Sequence, residues 1–426
     1  MNSTPQADST SKSALLLDRS AVKHLFLGDI LEENLFPFPA MRERDRELLV
    51  PVIDAIDEFL AAQQQELRHW DDAGEQPAEF IQALRDMGLF GLIIPEANEG
   101  MELSNAAYAR VLGQTSRHDS SVSLTIGAHS SIGMKGLLLW GNEEQRARYL
   151  PKLASGELVG AIAMSEPAAG SDLQGIKTTA TAQDGGYVIN GSKTFITNGW
   201  HADLVIVVAK TNPSAGAKGT SLFLVEAGTP GFEKGQRLKK LGMKAQDTSE
   251  LFFKDVHVGP EQLLGGDAQK NRGFICLMEQ LPWERLQIAI SAVAASQAAI
   301  DWTVAYVKER MVFGQAVGSF QNTRYVLADL QTKVQAARVF VDKCCELVCV
   351  DELDTATASM AKSWCSDLQC QVMDECVQLF GGYGYMWEYP ITRAYADARV
   401  QRIYGGTNEI MKEVIARSMG LHVPKP

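Results

Sequence analysis

The stretch "GYVINGSKTFITNG", residues 186–199, decides how this chain is organised. It is rich in β-branched and aromatic residues, with Gly at its start and Asn-Gly at its end. That is the composition of a strand between turns, not of a helix. Three similar runs follow: "ADLVIVVAKT" (202–211), "TSLFLVEA" (220–227) and "SELFFKDVHV" (249–258). Gly, Asn and Pro separate them. Together they predict a compact antiparallel β domain over residues 161–275. On either side the apolar spacing changes to three and four residues, as a helix requires. Upstream, "ELLVPVIDAIDEFLAAQQQEL" (47–67) and "AEFIQALRDMGLFGL" (78–92) predict an N-terminal α-helical domain over 41–160, interrupted by the loop "IPEANEGMELS" (94–104). Downstream, "ERLQIAISAVAASQAAIDWTVAYVKERMVF" (284–313), "TRYVLADLQTKVQAARVFVDKCCELV" (323–348) and "ATASMAKSWCSDLQCQVMDECVQLF" (356–380) predict a C-terminal helical bundle over 276–426. The expected fold class is α+β. Long helices with several buried faces predict oligomerisation. Residues 1–40 form an extension that closes on "LFPFP" (35–39).

Composition narrows the function classes. The 426 residues carry a formal charge of −12, which disfavours a nucleic-acid partner. No membrane span is expected, because no run of about 18 apolar residues stands out. The seven cysteines lie at 276, 344, 345, 349, 365, 370 and 376, without a CxxC. They read as reduced core thiols in a reducing compartment. The seven histidines show no HExxH pairing, so no metal site is expected. The opening "MNSTPQADSTSK" lacks an apolar signal core and has no arginine, so a cytoplasmic location is expected.

Several segments could carry chemistry. In "AMSEPAAGSDLQG" (163–175), small residues around Ser165 and Ser171 let backbone N–H groups approach a ligand; a plain inter-strand loop has the same composition. In "TFITNG" (194–199), Phe195 and Thr197 are two residues apart, which in a regular strand puts both on one face and suits a planar heterocycle. No GxGxxG joins a strand to a helix, since "GGYGYMWEYP" (381–390) follows a helical run; a Rossmann unit is therefore not supported.

Taken together, "AMSEPAAGSD" (163–172), "FITNG" (195–199), "ERMVFGQAVGSFQ" (309–321), "QLFGGYGYMWEYPITRAYADARV" (378–400) and "IYGGTNEIM" (403–411) resemble the acyl-CoA dehydrogenase family, in family order and over nearly the whole chain. The N-terminal half resembles the very-long-chain type, and "RVQRIYGGTNEIMKEVIAR" (399–417) the long-chain and isovaleryl types. The resemblance implies an α-helical domain, a β domain and a C-terminal four-helix bundle domain, assembled as a homotetramer or homodimer. It implies FAD between the β domain and the C-terminal helices, an acyl-CoA substrate, and electron-transfer flavoprotein as redox partner. It places Met164, Ser165 and Ser171 on the flavin and CoA side, Phe195 against the flavin and Thr197 near its N5. Arg310, Phe313, Gln321, Gln378 and Gly382 would hold the adenine dinucleotide of a FAD bound mainly by a neighbouring subunit. Thr407 and Glu409 would lie at the dinucleotide, and Ser171, Arg285, Tyr404 and Gly405 would face the substrate.

The reaction so implied needs a base for the α-proton and an acceptor for the β-hydride at flavin N5. Most of the family carries the base as Tyr-Glu-Gly-Thr. This chain has Tyr404-Gly405-Gly406-Thr407, and Gly405 has no side chain to do it. The long-chain and isovaleryl types place the base on an earlier helix. The matching segment is "EQLPWERLQIA" (279–289), with Glu284 at the position. Pro282 reads as a first-turn proline. That puts Glu284 within the first turn, where the helix dipole lowers its pKa while burial raises it, and Glu279 before the helix. Gly405 keeps a role through its backbone N–H, as donor to the thioester carbonyl. Glu279, Glu388 and Glu409 are rival carboxylates. The sequence therefore reads as an acyl-CoA dehydrogenase of β-oxidation that forms a trans-2-enoyl-CoA from a medium- or long-chain substrate. The alternatives are an acyl-CoA oxidase and a catalytically silent flavoprotein scaffold subunit.

Overall fold

The computed structural model describes residues 41–421. The readings made for residues 1–40, including "LFPFP", lie outside the described residues. Helices α1 (Glu43–Ala62), α2 (Gln64–Ala73), α3 (Ala78–Asp86), α4 (Asn105–His118), α5 (Ser120–Ala128), α6 (Lys135–Trp140) and α7 (Glu143–Ala154) come first. Three of their starts are capped by side chains that satisfy otherwise orphaned N–H groups. Ser104 accepts from the Ala107 N–H at the head of α4, and Asp119 from the Val122 N–H at the head of α5. Asn142 and Gln145 form a capping box on α7. Between α5 and α6 the chain makes a π-helical turn, His129–Gly133.

The sheet follows, with strands β1 (Gly160–Ala163), β2 (Thr179–Gln183), β3 (Gly186–Thr197), β4 (Leu204–Lys210), β5 (Thr220–Glu226), β6 (Phe232–Arg237) and β7 (Thr248–Val258). Their order is β1-β4-β2-β3-β7-β6, with β5 also paired to β4. The purely antiparallel expectation needs one correction. β2–β3, β3–β7, β4–β5 and β6–β7 are antiparallel, but β4 runs parallel to β1 and, at one bridge, to β2. The segment 164–203 separates β1 from β4, long enough for the crossover that parallel pairing requires. β4 and β5 are buried on both faces. Leu204, Ile206, Leu222 and Leu224 pack with the helical residues Leu137, Leu150 and Leu153. Val205, Val207, Phe223 and Val225 pack on the other side with Leu251 and Phe253. Two-residue alternation thus serves two cores.

The C-terminal part comprises α8 (Gly273–Glu309), a hairpin of β8 (Met311–Val312) and β9 (Gln315–Ala316), α9 (Gln321–Cys349), α10 (Thr355–Phe380), α11 (Pro390–Ala398) and α12 (Asn408–Ser418). α8 packs on α4, α9 and α10, and α10 packs on α11 and α12. The buried Ala289, Ala292, Ala295, Ala298 and Ala299 line α8, small enough for neighbouring helices to approach from several sides. Among the described residues α8 is the one helix long and apolar enough to cross a membrane, and most of its apolar window is buried within the protein.

Here the structure corrects a second expectation. α8 starts at Gly273, so Pro282 lies inside the helix and Glu279 is helical too. Proline removes one intrahelical N–H bond and usually ends or kinks a helix. The extra turns persist because Cys276 and Leu277 are locked into the apolar cluster with Leu222 and Leu224 of β5. Glu284 therefore sits about three turns into the helix, beyond the reach of the terminal dipole.

Candidate active site

Glu284 is only 7% exposed. Burial pushes its carboxyl up from 4.5 to about 7, while a hydrogen bond from Gln280 and the charge of Arg285 pull it down. With the dipole gone, desolvation decides the outcome. The Gln280 Nε2 donates to Glu284 Oε1 at 2.6 Å and to the Ser131 carbonyl at 3.1 Å. Arg285 turns the other way: its Nη1 donates to the Ser359 hydroxyl on α10 at 3.1 Å, within a buried setting.

Gly405 faces the same helix. Its φ is 63°, and a Cβ there would overlap the Cδ1 methyl of Ile288. Ile288 is one turn beyond Glu284, on the same side of α8. The Gly405 segment thus lies against the helix face that carries the carboxyl. Gly406, with φ 89°, extends the left-handed turn. Among the described residues the Gly405 N–H meets no acceptor. Tyr404 donates its hydroxyl to Gln401 at 2.6 Å. Thr407 caps α12, accepting from the Ile410 N–H. Glu409 is exposed in the first turn of α12, its carboxyl held below the usual range by its own N–H and the Thr407 hydroxyl.

Two residues that sequence reasoning passed over fix this turn. Lys362 of α10 is fully buried and donates to the Gly406 carbonyl at 2.7 Å and to Asn408 Oδ1 at 2.8 Å. Burial lowers its ammonium to about 8. Asn408 in turn donates to the Ser363 carbonyl, Ser366 Oγ and Asp367. Lys362 lies in a helical run that reads as plain core, so only its charge on a buried face could have marked it.

On the sheet side, the Met164–Ser165 loop is stapled to β3. The Thr194 N–H donates to the Ser165 carbonyl at 3.0 Å. The Lys193 ammonium donates to the Met164 carbonyl at 3.1 Å and pairs with Glu166 at 2.9 Å. Burial would raise the Glu166 carboxyl, but hydrogen bonds from Thr178 and Lys177 and the Lys193 charge hold it low. This buried pair was also missed. Met164 packs on the cluster that contains Leu277 of α8. Ser171 is exposed.

The shared face expected for Phe195 and Thr197 does not hold. The β3–β7 register shifts between Lys193 and Ile196, and Phe195 has φ 60°. A bulge breaks alternation. Phe195 is 69% exposed, whereas Thr197 is half-buried and paired with Thr248. A phenylalanine in the left-handed region is strained, a condition that clusters at functional sites.

The predicted dinucleotide residues gather elsewhere. Arg310, Gln378 and Gly382 line one groove of about 530 Å³ with Tyr306, Phe380 and Tyr383. The Arg310 guanidinium lies 5.2 Å from the Tyr383 ring centre. Phe313 stands at the tip of the β8–β9 hairpin, 96% exposed and with φ 48°. Gln321 opens α9 and donates to the Tyr325 hydroxyl. Arg310 follows Glu284 by 26 residues, so the groove lies about 39 Å along α8 from the carboxyl.

Three family models match in succession: the acyl-CoA dehydrogenase N-terminal domain over 50–157, the middle domain over 161–256 and the C-terminal domain over 271–420. The chain belongs to the acyl-CoA dehydrogenase family. The family is one of FAD-dependent oxidoreductases. The long-chain specific acyl-CoA dehydrogenase (mitochondrial) of Sus scrofa is 49% identical over 354 residues, 82% of this chain and 81% of that protein. The acyl-CoA dehydrogenase structure from Geobacillus kaustophilus superposes with a TM-score of 0.85 at 39% identity, covering 90% of this chain and 99% of that one. An acyl-CoA dehydrogenase from Bacillus anthracis, solved in complex with FAD, superposes with a TM-score of 0.80 at 30% identity, covering 89% of this chain and 66% of that one.

Proposed function

We propose that this chain is an FAD-dependent acyl-CoA dehydrogenase that converts a medium- or long-chain acyl-CoA to trans-2-enoyl-CoA in β-oxidation, with Glu284 as the base. The carrying observation is Glu284 itself: a buried carboxyl near pKa 7, on the helix face that packs against the side-chain-free Gly405. A base poised near the working pH is the most effective proton acceptor.

The chain's residues divide the work. Glu284 takes the α-proton through the oxygen that Gln280 leaves unengaged. The Gly405 N–H donates to the thioester carbonyl, where negative charge develops as the α-proton leaves. Lys362 holds the Gly406 carbonyl and so fixes the direction of that turn. The buried Lys193–Glu166 pair holds the Met164–Ser165 loop in place. When bound, FAD accepts the hydride equivalent from the substrate β-carbon. The exposed, strained Phe195 ring fits a flat partner, and Met164, Ser165, Thr197, Thr407 and Glu409 are the residues proposed to line it.

Arg310, Phe313, Gln321, Gln378 and Gly382 fit the adenine dinucleotide of a neighbouring subunit's FAD, because about 39 Å of helix exceeds the reach of one cofactor. Exposed Phe313, Tyr325, Trp364, Tyr385 and Tyr395 support a homotetramer or homodimer that covers them. The name of the Sus scrofa relative supports the long-chain assignment. Electron-transfer flavoprotein is the proposed redox partner. The free cysteines suit a reducing, cytoplasmic setting.

The test is an anaerobic titration of the flavin-loaded enzyme with a panel of saturated acyl-CoAs, from short to very long. Loss of the flavin's visible absorbance with medium or long chains, with enoyl-CoA formed, is the expected result. No bleaching by any of them overturns the reading. Peroxide formed in air at the turnover rate assigns an oxidase instead.

A further inference from the structure

Gln280 precedes Glu284 by one turn of α8, and both side chains are buried. One nitrogen of Gln280 serves two acceptors, Glu284 Oε1 at 2.6 Å and the Ser131 carbonyl at 3.1 Å. An amide side chain has two ends, and either could in principle face a carboxyl. Here the choice is forced. A backbone carbonyl only accepts, so the NH2 end must face Ser131. The same NH2 then presents its second hydrogen to Glu284.

The Ser131 carbonyl is itself held firmly. It belongs to the π-helical turn His129–Gly133. Within that turn His129 Nδ1 accepts from the Gly160 N–H at 3.0 Å and Nε2 faces the Leu153 carbonyl at 3.1 Å. Ser131 Oγ donates to the Gly127 carbonyl at 2.7 Å. Gly133 lies so close to Gly160 that a Cβ would overlap the Gly160 carbonyl. π-turns recur at functional sites; the role of this one follows from what its carbonyl does to Gln280.

We propose that Gln280 is a positioning residue for the base: anchored by the Ser131 carbonyl of the π-turn, it is a fixed donor that favours the ionised form of Glu284 and leaves Oε2 as its proton-accepting atom. This rests on the reading of Glu284 as base. Glu284 Oε2 has no hydrogen-bond partner among the described residues, which leaves it to the substrate.

The surrounding charges do not substitute for Gln280. Arg285 acts on Glu284 but is turned to Ser359. From the π-turn, burial lowers His129 to about 4 and leaves it neutral. From α4, burial raises the Tyr108 hydroxyl, which donates to Gln287. Lys135 of α6 feels Asp351, and Lys362 of α10 is held by Gly406 and Asn408. Gln280 is thus the group that directly hydrogen-bonds the carboxyl.

The experiment follows the rate of anaerobic flavin reduction by a bleaching acyl-CoA across pH, for parent enzyme, Gln280→Leu and Gln280→Asn. Leu keeps the bulk and loses the donor. Asn keeps an amide but is one methylene too short to reach both partners. The expected result is an acid limb moved up by about one pH unit in both variants, with reduction about fivefold slower at pH 7 and recovered at high pH. A shifted limb is independent of how much enzyme folds, so a merely structural role lowers the amplitude without moving it. Limbs that coincide with the parent's, while Glu284→Gln abolishes reduction, overturn the role of Gln280 and leave the base standing. Normal reduction by Glu284→Gln overturns the base itself.

Discussion

Replacing Gly405 by Ala probes why this position is empty. Two separable costs follow from the geometry. With φ at 63°, any residue bearing a Cβ sits in the left-handed region, at about 1–2 kcal/mol. The new methyl also overlaps Ile288 Cδ1, and overpacking of this kind costs about 1–3 kcal/mol. The sum is a loss of about 2–5 kcal/mol. Ile288→Val alone removes the offending methyl and costs about 0.5–1.5 kcal/mol. In the double variant the backbone cost remains and the overlap is gone. The two substitutions should therefore be less damaging together than their sum, by about 1–3 kcal/mol. Denaturant unfolding of the parent, both single variants and the double variant, followed by circular dichroism, measures that coupling. Additivity within about 0.5 kcal/mol refutes the contact between the Gly405 turn and the helix face that carries Glu284.

Other consequences follow from the same structure. The Glu284 carboxyl ionises near 4.5 when unfolded and near 7 when folded. The folded chain therefore holds the proton longer, and this group's contribution to stability is present below 4.5 and lost as pH rises to 7. At about 1.4 kcal/mol per unit, Glu284→Gln should be more stable than the parent at pH 8 by about 3 kcal/mol, and no more stable at pH 4.5, by thermal melts in matched buffers. Lys193→Met leaves Glu166 buried without its cation and should cost about 3–5 kcal/mol; Glu166→Gln/Lys193→Met should recover part of the loss, in the same unfolding assay. Phe313→Gly relieves a left-handed phenylalanine, so the chain's own stability should hold or rise slightly, while flavin retention on a desalting column and subunit association by light scattering should weaken.

Much of this protein is legible in its sequence, and the parts that are not share a cause. The strand runs at 186–199, 202–211, 220–227 and 249–258 became β3, β4, β5 and β7, because turn residues bound them and each packs at least one face on a core. Glu284 is a candidate base in the sequence because of the glycine at 405, but its environment was not legible. Pro282 reads as a helix start, yet packing of Cys276 and Leu277 extends the helix back to Gly273. That removes the helix dipole from the argument over the pKa. The twist at Phe195 is invisible to alternation because a bulge changes register without changing composition. Lys362, Asn408 and the Glu166–Lys193 pair act between segments far apart in the chain, and no local spacing announces them. Gln280 is the same case: its partner Ser131 lies on another helix.

The most direct test of the central claim is rapid anaerobic mixing of flavin-loaded Glu284→Gln with an acyl-CoA that bleaches the parent. Gln keeps the size and the hydrogen bonding but cannot take the α-proton. The account predicts intact flavin binding with reduction slowed by about 100- to 10,000-fold. Bleaching within a few-fold of the parent rate would contradict it and move the base elsewhere.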